Sequence, residues 1–331
     1  MKKNWIPIIL VIILIIVIVN EVINGYQKRQ AALQVIAAFI ANEPVDTVWR
    51  GWNKYQIKTG TDSGKLIWYG HELIANTAFY LGPKGIVAHT TNGMNCQNCH
   101  LDGGTIPYAF NFGKVYATYP VFNPRSNAIR NIYDRVNDCF ERSLNGKSLD
   151  SNTLEMQAIY AYICWLGNDV PKGVVRGGTG ISKLKYITVA ADPIAGKKVY
   201  IANCQSCHGA DGQGQLNIDG SAYTYPPMWG EHSYNDGAGL YRIGSFAGFV
   251  KSNMPFGTDY HDPKLTDKEA WDVAAFVNSQ PRPHKNQTND WKNIAKKPID
   301  FPFGPYIDTF TEEQHKYGPF IPIKNAQPTT K

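Results

Sequence analysis

Two five-residue motifs carry the first recognisable chemistry in this 331-residue chain: Cys96-Gln97-Asn98-Cys99-His100 and Cys204-Gln205-Ser206-Cys207-His208. Two thiols spaced by about one helical turn can each add to a vinyl group of a porphyrin. The adjoining imidazole then reaches the iron. The spacing predicts two covalently bound haem c groups, attached through Cys96, Cys99, Cys204 and Cys207, with His100 and His208 as metal ligands. A zinc site would need the two cysteine pairs to combine, yet a domain's length of chain separates them. A thioredoxin-like redox pair would need one such motif, not two.

Each iron has a second axial position, and its occupant sets the function. After the second motif the choices are Met228, Met254, His232, His261 and Lys251. In a small cytochrome c the distal Met lies just before the closing helix, which selects Met254. Between His100 and His208 there is no other His, and Met156 falls inside the predicted closing helix. Cys139 stands at the distal position instead. If residues 127–144 form a helix, then Ile129, Ile132, Tyr133, Val136 and Phe140 make its apolar face, with Cys139 at the edge. Arg135, Arg142 and Ser143 then lie within about 60° of Cys139. Neighbouring arginines lower a thiol's pKa, and the thiolate is both nucleophile and metal ligand. The alternative is a buried free cysteine whose arginines pair with Asp134, Asp138 and Glu141. Cys164, beside Trp165 with no basic neighbours, reads as structural.

A helix, a haem motif, an irregular stretch and a second helix must position these residues, and the pattern occurs twice. The first pair spans Tyr69 to Leu81 and Leu154 to Leu166, and the second Ile194 to Ala202 and Asp267 to Val277. The expected organisation is a first cytochrome c domain over 61–170, a Gly-rich linker over 171–185 and a second domain over 186–283. A Pro- and aromatic-rich wrapping tail follows over 284–331. The fold class is therefore mainly α, with two class I cytochrome c-like domains in tandem. Residues 27–60, with a helical stretch from Ala31 to Ile40, read as linker and packing segment.

Residues 1–26 open with Lys2 and Lys3 and then run apolar from Trp5 to Val19. Extended to Ile23 the run spans about 28 Å, close to a bilayer core. With no small-residue cleavage site after it, it is expected to be an uncleaved anchor holding the remainder on the periplasmic side of the cytoplasmic membrane. Overall, 43% of residues are apolar and 18% charged, which excludes a disordered chain. The formal charge is +6, but 33 Lys and Arg are interspersed with 27 acids, and no basic run points to nucleic acid.

Several stretches together resemble the dihaem cytochrome c thiosulfate dehydrogenases, also called tetrathionate reductases. They are residues 69–77, 95–105, Arg125-Ser126, 134–146, 155–158 and 253–257, with 297–306 and 314–320 in the tail. The resemblance covers nearly everything after residue 60, and the Cys-Phe-Glu-Arg-Ser-Leu-Asn-Gly stretch ending at Gly146 is more specific than the haem motifs. It implies that Cys139 is the distal ligand of the first haem and Met254 that of the second. It implies a substrate pocket of Arg125, Arg135 and Ser143, with Arg130 near. The implied reaction joins two thiosulfates into tetrathionate, or the reverse, with electrons passing to a soluble or membrane carrier such as a cytochrome c. Guanidinium forks suit such dianions. Other classes stay open at this point: a plain electron-transfer dihaem cytochrome, a dihaem peroxidase, or a sulfur carrier with a Cys-ligated haem.

Overall fold

The computed structural model describes residues 18–32 and 48–327. The chain divides into two units, Met1–Thr47 and Val48–Lys331. In the first, residues 18–32 form an exposed helix. Its sequence includes Glu21, Lys28 and Arg29 among Val22, Ile23 and Tyr26. No helix of the described residues is long and apolar enough to cross a membrane. This overturns the expected uncleaved anchor, and the membrane partner and membrane-bound localisation fall with it. Residues 1–17 of that expectation, and the stretch from Leu33 to Ile40 of the next, lie outside the described residues.

The second unit is built on two helix pairs. Its longer helices are α1 (Asp62–Ala75), α2 (Thr77–Leu81), α3 (Ile132–Arg142), α4 (Leu154–Leu166), α5 (Pro193–Asn203), α6 (Ile243–Asn253), α7 (Asp267–Ser279), α8 (Glu312–Tyr317) and α9 (Phe320–Ala326). The two most extensive helix contacts are α1 with α4 and α5 with α7. Each crossing requires a glycine. A Cβ on Gly70 would sit 2.0 Å from the Ala158 carbonyl oxygen, and one on Gly196 would sit 1.9 Å from that of Asp272. Only backbones without a side chain between them approach this closely. The same device in both pairs is the clearest trace of the repeat.

Local chemistry explains where the helices start. Thr153 caps α4, Asp192 caps α5 with Pro193 in its first turn, and Thr266 with Glu269 forms a capping box on α7. The expected single helix from Tyr69 to Leu81 is two, broken at Asn76. The break has a use: Thr77 Oγ1 accepts from Cys96 N at 2.9 Å, and Asn95 Oδ1 accepts from Ala78 N at 2.8 Å. The first cysteine motif is thus pinned to the α1–α2 corner.

The expected start of a helix at Asn127 is also corrected. Residues Val121–Asn123 (β1) and Ala128–Arg130 (β2) form an antiparallel hairpin. Asn127 takes a positive φ of 52° in its turn, and Asn123 Oδ1 accepts from Arg125 N at 2.9 Å. Ile129, placed by helical spacing on an apolar face, is 74% exposed on β2. The helix begins at Ile132, where Asn131 and Asp134 make a capping box.

Residues 171–185 are more than a tether. Gly178 and Gly180 accept backbone hydrogen bonds from Tyr108 and Phe110, at 2.6 and 2.7 Å. The two halves of this unit meet here, with Phe110 stacked on Phe249 at 5.7 Å and Asn253 Nδ2 donating to the Tyr108 carbonyl at 3.1 Å. The tail packs against both halves, burying Phe320 and Ile323 completely.

Candidate functional site

An apolar cavity of about 410 Å³ lies among α1, α3 and α4. Ile74, Met94, Ile132, Val136, Phe140, Leu144, Ile159, Ile163 and Ile181 wall it, and Cys96, Cys99, His100 and Cys139 reach it. Phe110 O accepts from His100 Nδ1 at 2.6 Å, and Phe112 stacks on the imidazole at 4.5 Å. With Nδ1–H donated to a carbonyl, Nε2 keeps its lone pair for a metal. Burial lowers the His100 pKa to about 4, holding the ring neutral, and pushes the Cys96 and Cys99 thiols up to about 12. A flat apolar macrocycle attached at two cysteines fits this cavity.

The second motif repeats the arrangement. His208 Nδ1 donates to the Pro226 carbonyl at 2.8 Å, and burial lowers its pKa. Cys204 packs against the core, and burial raises its thiol to about 11. Met254 directly follows α6 and is partly buried against the same core, as is Met228. The stretch between motif and closing helix, read from sequence as irregular, contains all of α6.

A second, more polar cavity of about 250 Å³ adjoins the first site. Arg125, Arg135, Arg142, Arg242, Asp138, Asn123, Ser143 and Trp291 line it. Seven residues belong to both cavities: Cys99, His100, Phe110, Tyr119, Arg135, Cys139 and Ser143. Cys139 therefore stands where an apolar chamber meets a cationic one. Helix α3 arranges this by its period: Ile132, Val136 and Phe140 alternate with Arg135, Cys139 and Ser143 along one side.

The four arginines differ in their partners. Arg135 Nη1 donates to Cys139 Sγ at 3.3 Å, and the sulfur's charge raises the Arg135 pKa. Arg125 Nη2 meets Asp138 Oδ2 at 2.7 Å, while Arg130 approaches the other oxygen at 3.7 Å. Arg142 is committed elsewhere: it donates to Asp290 at 2.9 Å and to the Gly237 carbonyl at 3.2 Å. Helical spacing put it on the rim, but it ties α3 to the tail. Arg242, at the start of α6, donates from Nε and Nη2 to Asp300 Oδ1 at 2.9 and 2.5 Å. Ser143 ends α3, and its backbone N donates to the Cys139 carbonyl at 2.8 Å.

Cys139, Arg125, Arg135 and Ser143 thus line one cavity. Arg242 and Trp291 were not foreseen, because they come from the second half and the tail with no spacing to Cys139. Cys164 lines neither cavity and is half-buried on α4.

A model described as SoxA/TsdA, cytochrome c domain matches residues 87–171, and a cytochrome c model matches residues 194–281. The unit holds two cytochrome c domains in tandem, which carry covalently bound haem c. A thiosulfate dehydrogenase of Psychrobacter arcticus is 43% identical over 211 residues, 63% of each chain. One from Allochromatium vinosum is 40% identical over 224 residues, covering 66% of this chain and 79% of that one. A solved structure of thiosulfate dehydrogenase (TsdBA) from Marichromatium purpuratum, in its as-isolated form, superposes with a TM-score of 0.68 at 28% identity. It covers 82% of this chain and 57% of that chain, so this chain spans less than two thirds of both the Psychrobacter and the Marichromatium proteins.

Proposed function

We propose, from the premise that this chain belongs to the thiosulfate dehydrogenase family of dihaem cytochromes c, that it joins two thiosulfates into tetrathionate at Cys139, or runs the reverse. One observation carries this: Cys139 is shared by an apolar cavity holding Cys96, Cys99 and His100 and a polar one holding Arg125, Arg135 and Ser143. In this reading Cys96, Cys99, His100 and Cys139 would hold the first haem, and Cys204, Cys207, His208 and Met254 would hold the second. Bound haem c supplies one-electron acceptors and a route to an external carrier such as a cytochrome c.

The protein's own residues do the rest. Arg125 and Arg135 neutralise the dianion, and Ser143 is a hydroxyl donor beside the sulfur. The Cys139 thiolate forms a sulfur–sulfur bond with the terminal sulfur of one thiosulfate, and two electrons leave. The terminal sulfur of a second thiosulfate then attacks the outer sulfur of that adduct. The bond to Cys139 breaks, tetrathionate departs, and the thiolate is regenerated with no further electron change. A plain electron carrier has no use for a cysteine and four cavity-lining arginines outside its haem sites. A peroxidase would want His or Glu as acid–base help, and neither lines the polar cavity except His100.

Replacing Cys139 with Gly tests the proposal. Thiosulfate-dependent reduction of an electron acceptor is expected to disappear, while the protein's mass still shows two haems attached. Retained turnover would overturn it.

A further inference from the structure

We propose that Arg242, presented by the second cytochrome c domain, is the cation that receives the second thiosulfate and holds the tetrathionate product. The polar cavity is then a two-anion site completed across the domain boundary. This rests on thiosulfate chemistry at Cys139, and it assigns the half of that chemistry for which the arginines that the first domain brings to the polar cavity are already engaged.

The guanidiniums that the first domain brings to the polar cavity are already engaged. Arg135 faces the Cys139 sulfur, Arg125 faces Asp138, and Arg142 divides its donors between Asp290 and a carbonyl. Arg242 is held differently. Both of its bonds to Asp300 go to one oxygen, from Nε and Nη2, and its Nη1 makes no hydrogen bond among the described residues. Its side chain is 34% exposed, against 18% for Arg125 and 9% for Arg142. Asp300 is 2% exposed and also accepts from Gly244 N at 3.2 Å, so the clamp is rigid while the guanidinium's free edge stays accessible.

The chemistry requires such a group. Once the first thiosulfate is bonded to Cys139 the cavity holds an anionic sulfonate, and the incoming thiosulfate is a dianion. Like charges a few ångströms apart repel strongly in a partly desolvated cavity. A planar fork with one free edge accepts sulfonate oxygens without leaving its aspartate. In the step it assists, a sulfur–sulfur bond forms between the second thiosulfate and the adduct as the bond to Cys139 breaks, and no electrons are exchanged.

The test uses the dihaem protein with Arg242→Gln. Calorimetric titration with tetrathionate is expected to show at least about ten-fold weaker binding, the scale of a lost charge-assisted hydrogen bond. The thiosulfate concentration for half-maximal rate should rise similarly and kcat less. Mass spectrometry after a single thiosulfate exposure should still find the Cys139 adduct at the wild-type level. Arg242→Lys, which keeps the charge and loses the fork, should recover part of the affinity. If Arg242→Gln fails to fold, the lysine variant decides: affinity equal to wild type overturns the assignment. Wild-type tetrathionate affinity in a folded Arg242→Gln protein also overturns it, leaving the chemistry at Cys139 intact. If the unmodified protein forms no adduct and binds no tetrathionate, the thiosulfate reading falls and Arg242 with it.

Discussion

Arg135 Nη1 donates to Cys139 Sγ at 3.3 Å across one turn of α3. The pair is intrahelical, so its geometry follows from the helix and needs no distant element to set it. A guanidinium so placed offers the sulfur a charge-assisted hydrogen bond, which the proposed sulfur–sulfur chemistry at Cys139 would use. Replacing Arg135 with Gln is expected to remove about 1.5–3 kcal/mol from the reacting state, roughly a 10- to 150-fold loss of kcat/KM for thiosulfate. Arg135→Lys should fall between, having charge without the fork. Steady-state rates with a fixed electron acceptor measure this. A change smaller than two-fold would mean that the contact is structural only.

Asp138 occupies Arg125, which the proposed function assigns to thiosulfate. It holds Arg125 at 2.7 Å and lies 3.7 Å from Arg130, with the Arg125 and Asp138 side chains 18% and 13% exposed. Asp138→Asn removes one negative charge from the cavity wall and frees Arg125. The expected outcome is opposite for binding and for stability: half-saturating thiosulfate falls by about three-fold or more, while the fold loses about 1–3 kcal/mol from the broken, mostly buried pair. Thiosulfate saturation curves and denaturant midpoints read the two effects separately.

What sequence could and could not show follows from chain distance. The cysteine motifs, α4 and α7 declare themselves through local spacing and apolar period, and Cys139 through the lack of another His or Met before α4. The expected helix start at Asn127 misled because helical spacing was carried back over residues 127–131, whereas Asn123-Pro124-Arg125-Ser126-Asn127 forms a turn that closes the β1–β2 hairpin. Arg142 lines the polar cavity with Cys139, as its helical position implies, but its partner, Asp290, comes from far along the chain and was beyond local spacing. Arg242 and Trp291 reach the polar cavity only through the packing of the second domain and the tail, which no local pattern encodes.

The glycine at each helix crossing gives an outcome independent of catalysis. Gly70→Ala and Gly196→Ala would each drive a methyl to about 2 Å from a carbonyl oxygen of the facing helix, Ala158 in one case and Asp272 in the other. Neither backbone can yield without separating the pair. Each variant is expected to cost about 1–3 kcal/mol or more, with no direct change at the polar cavity. Denaturant unfolding of the dihaem protein checks this. Equal stability to the parent would show that the helices slide apart freely, against the close approach seen here.

Two ion pairs tie the tail to α3, a partly exposed one between Lys285 and Glu141 at 2.9 Å and a buried one between Arg142 and Asp290. Arg142 and Asp290 are 9% and 11% exposed, joined at 2.9 Å, and the next residue, Trp291, donates its backbone N to the Arg125 carbonyl at 2.7 Å. Asp290→Asn leaves the Arg142 charge buried without its counter-ion, and removing one partner of such a pair costs about 3–5 kcal/mol. The loss should come with faster proteolysis between the second domain and the tail, and with weaker thiosulfate binding as Arg125 loses its backbone support. Pairing Asp290→Leu with Arg142→Met removes both charges together and is expected to restore most of the stability, since an apolar pair of similar volume has no desolvation penalty. A double-mutant cycle of unfolding midpoints measures the coupling. Additive single effects would mean that the tail is held by its other contacts, Lys285 Nζ to Glu141 Oε2 at 2.9 Å among them, and that the buried ion pair merely accompanies them.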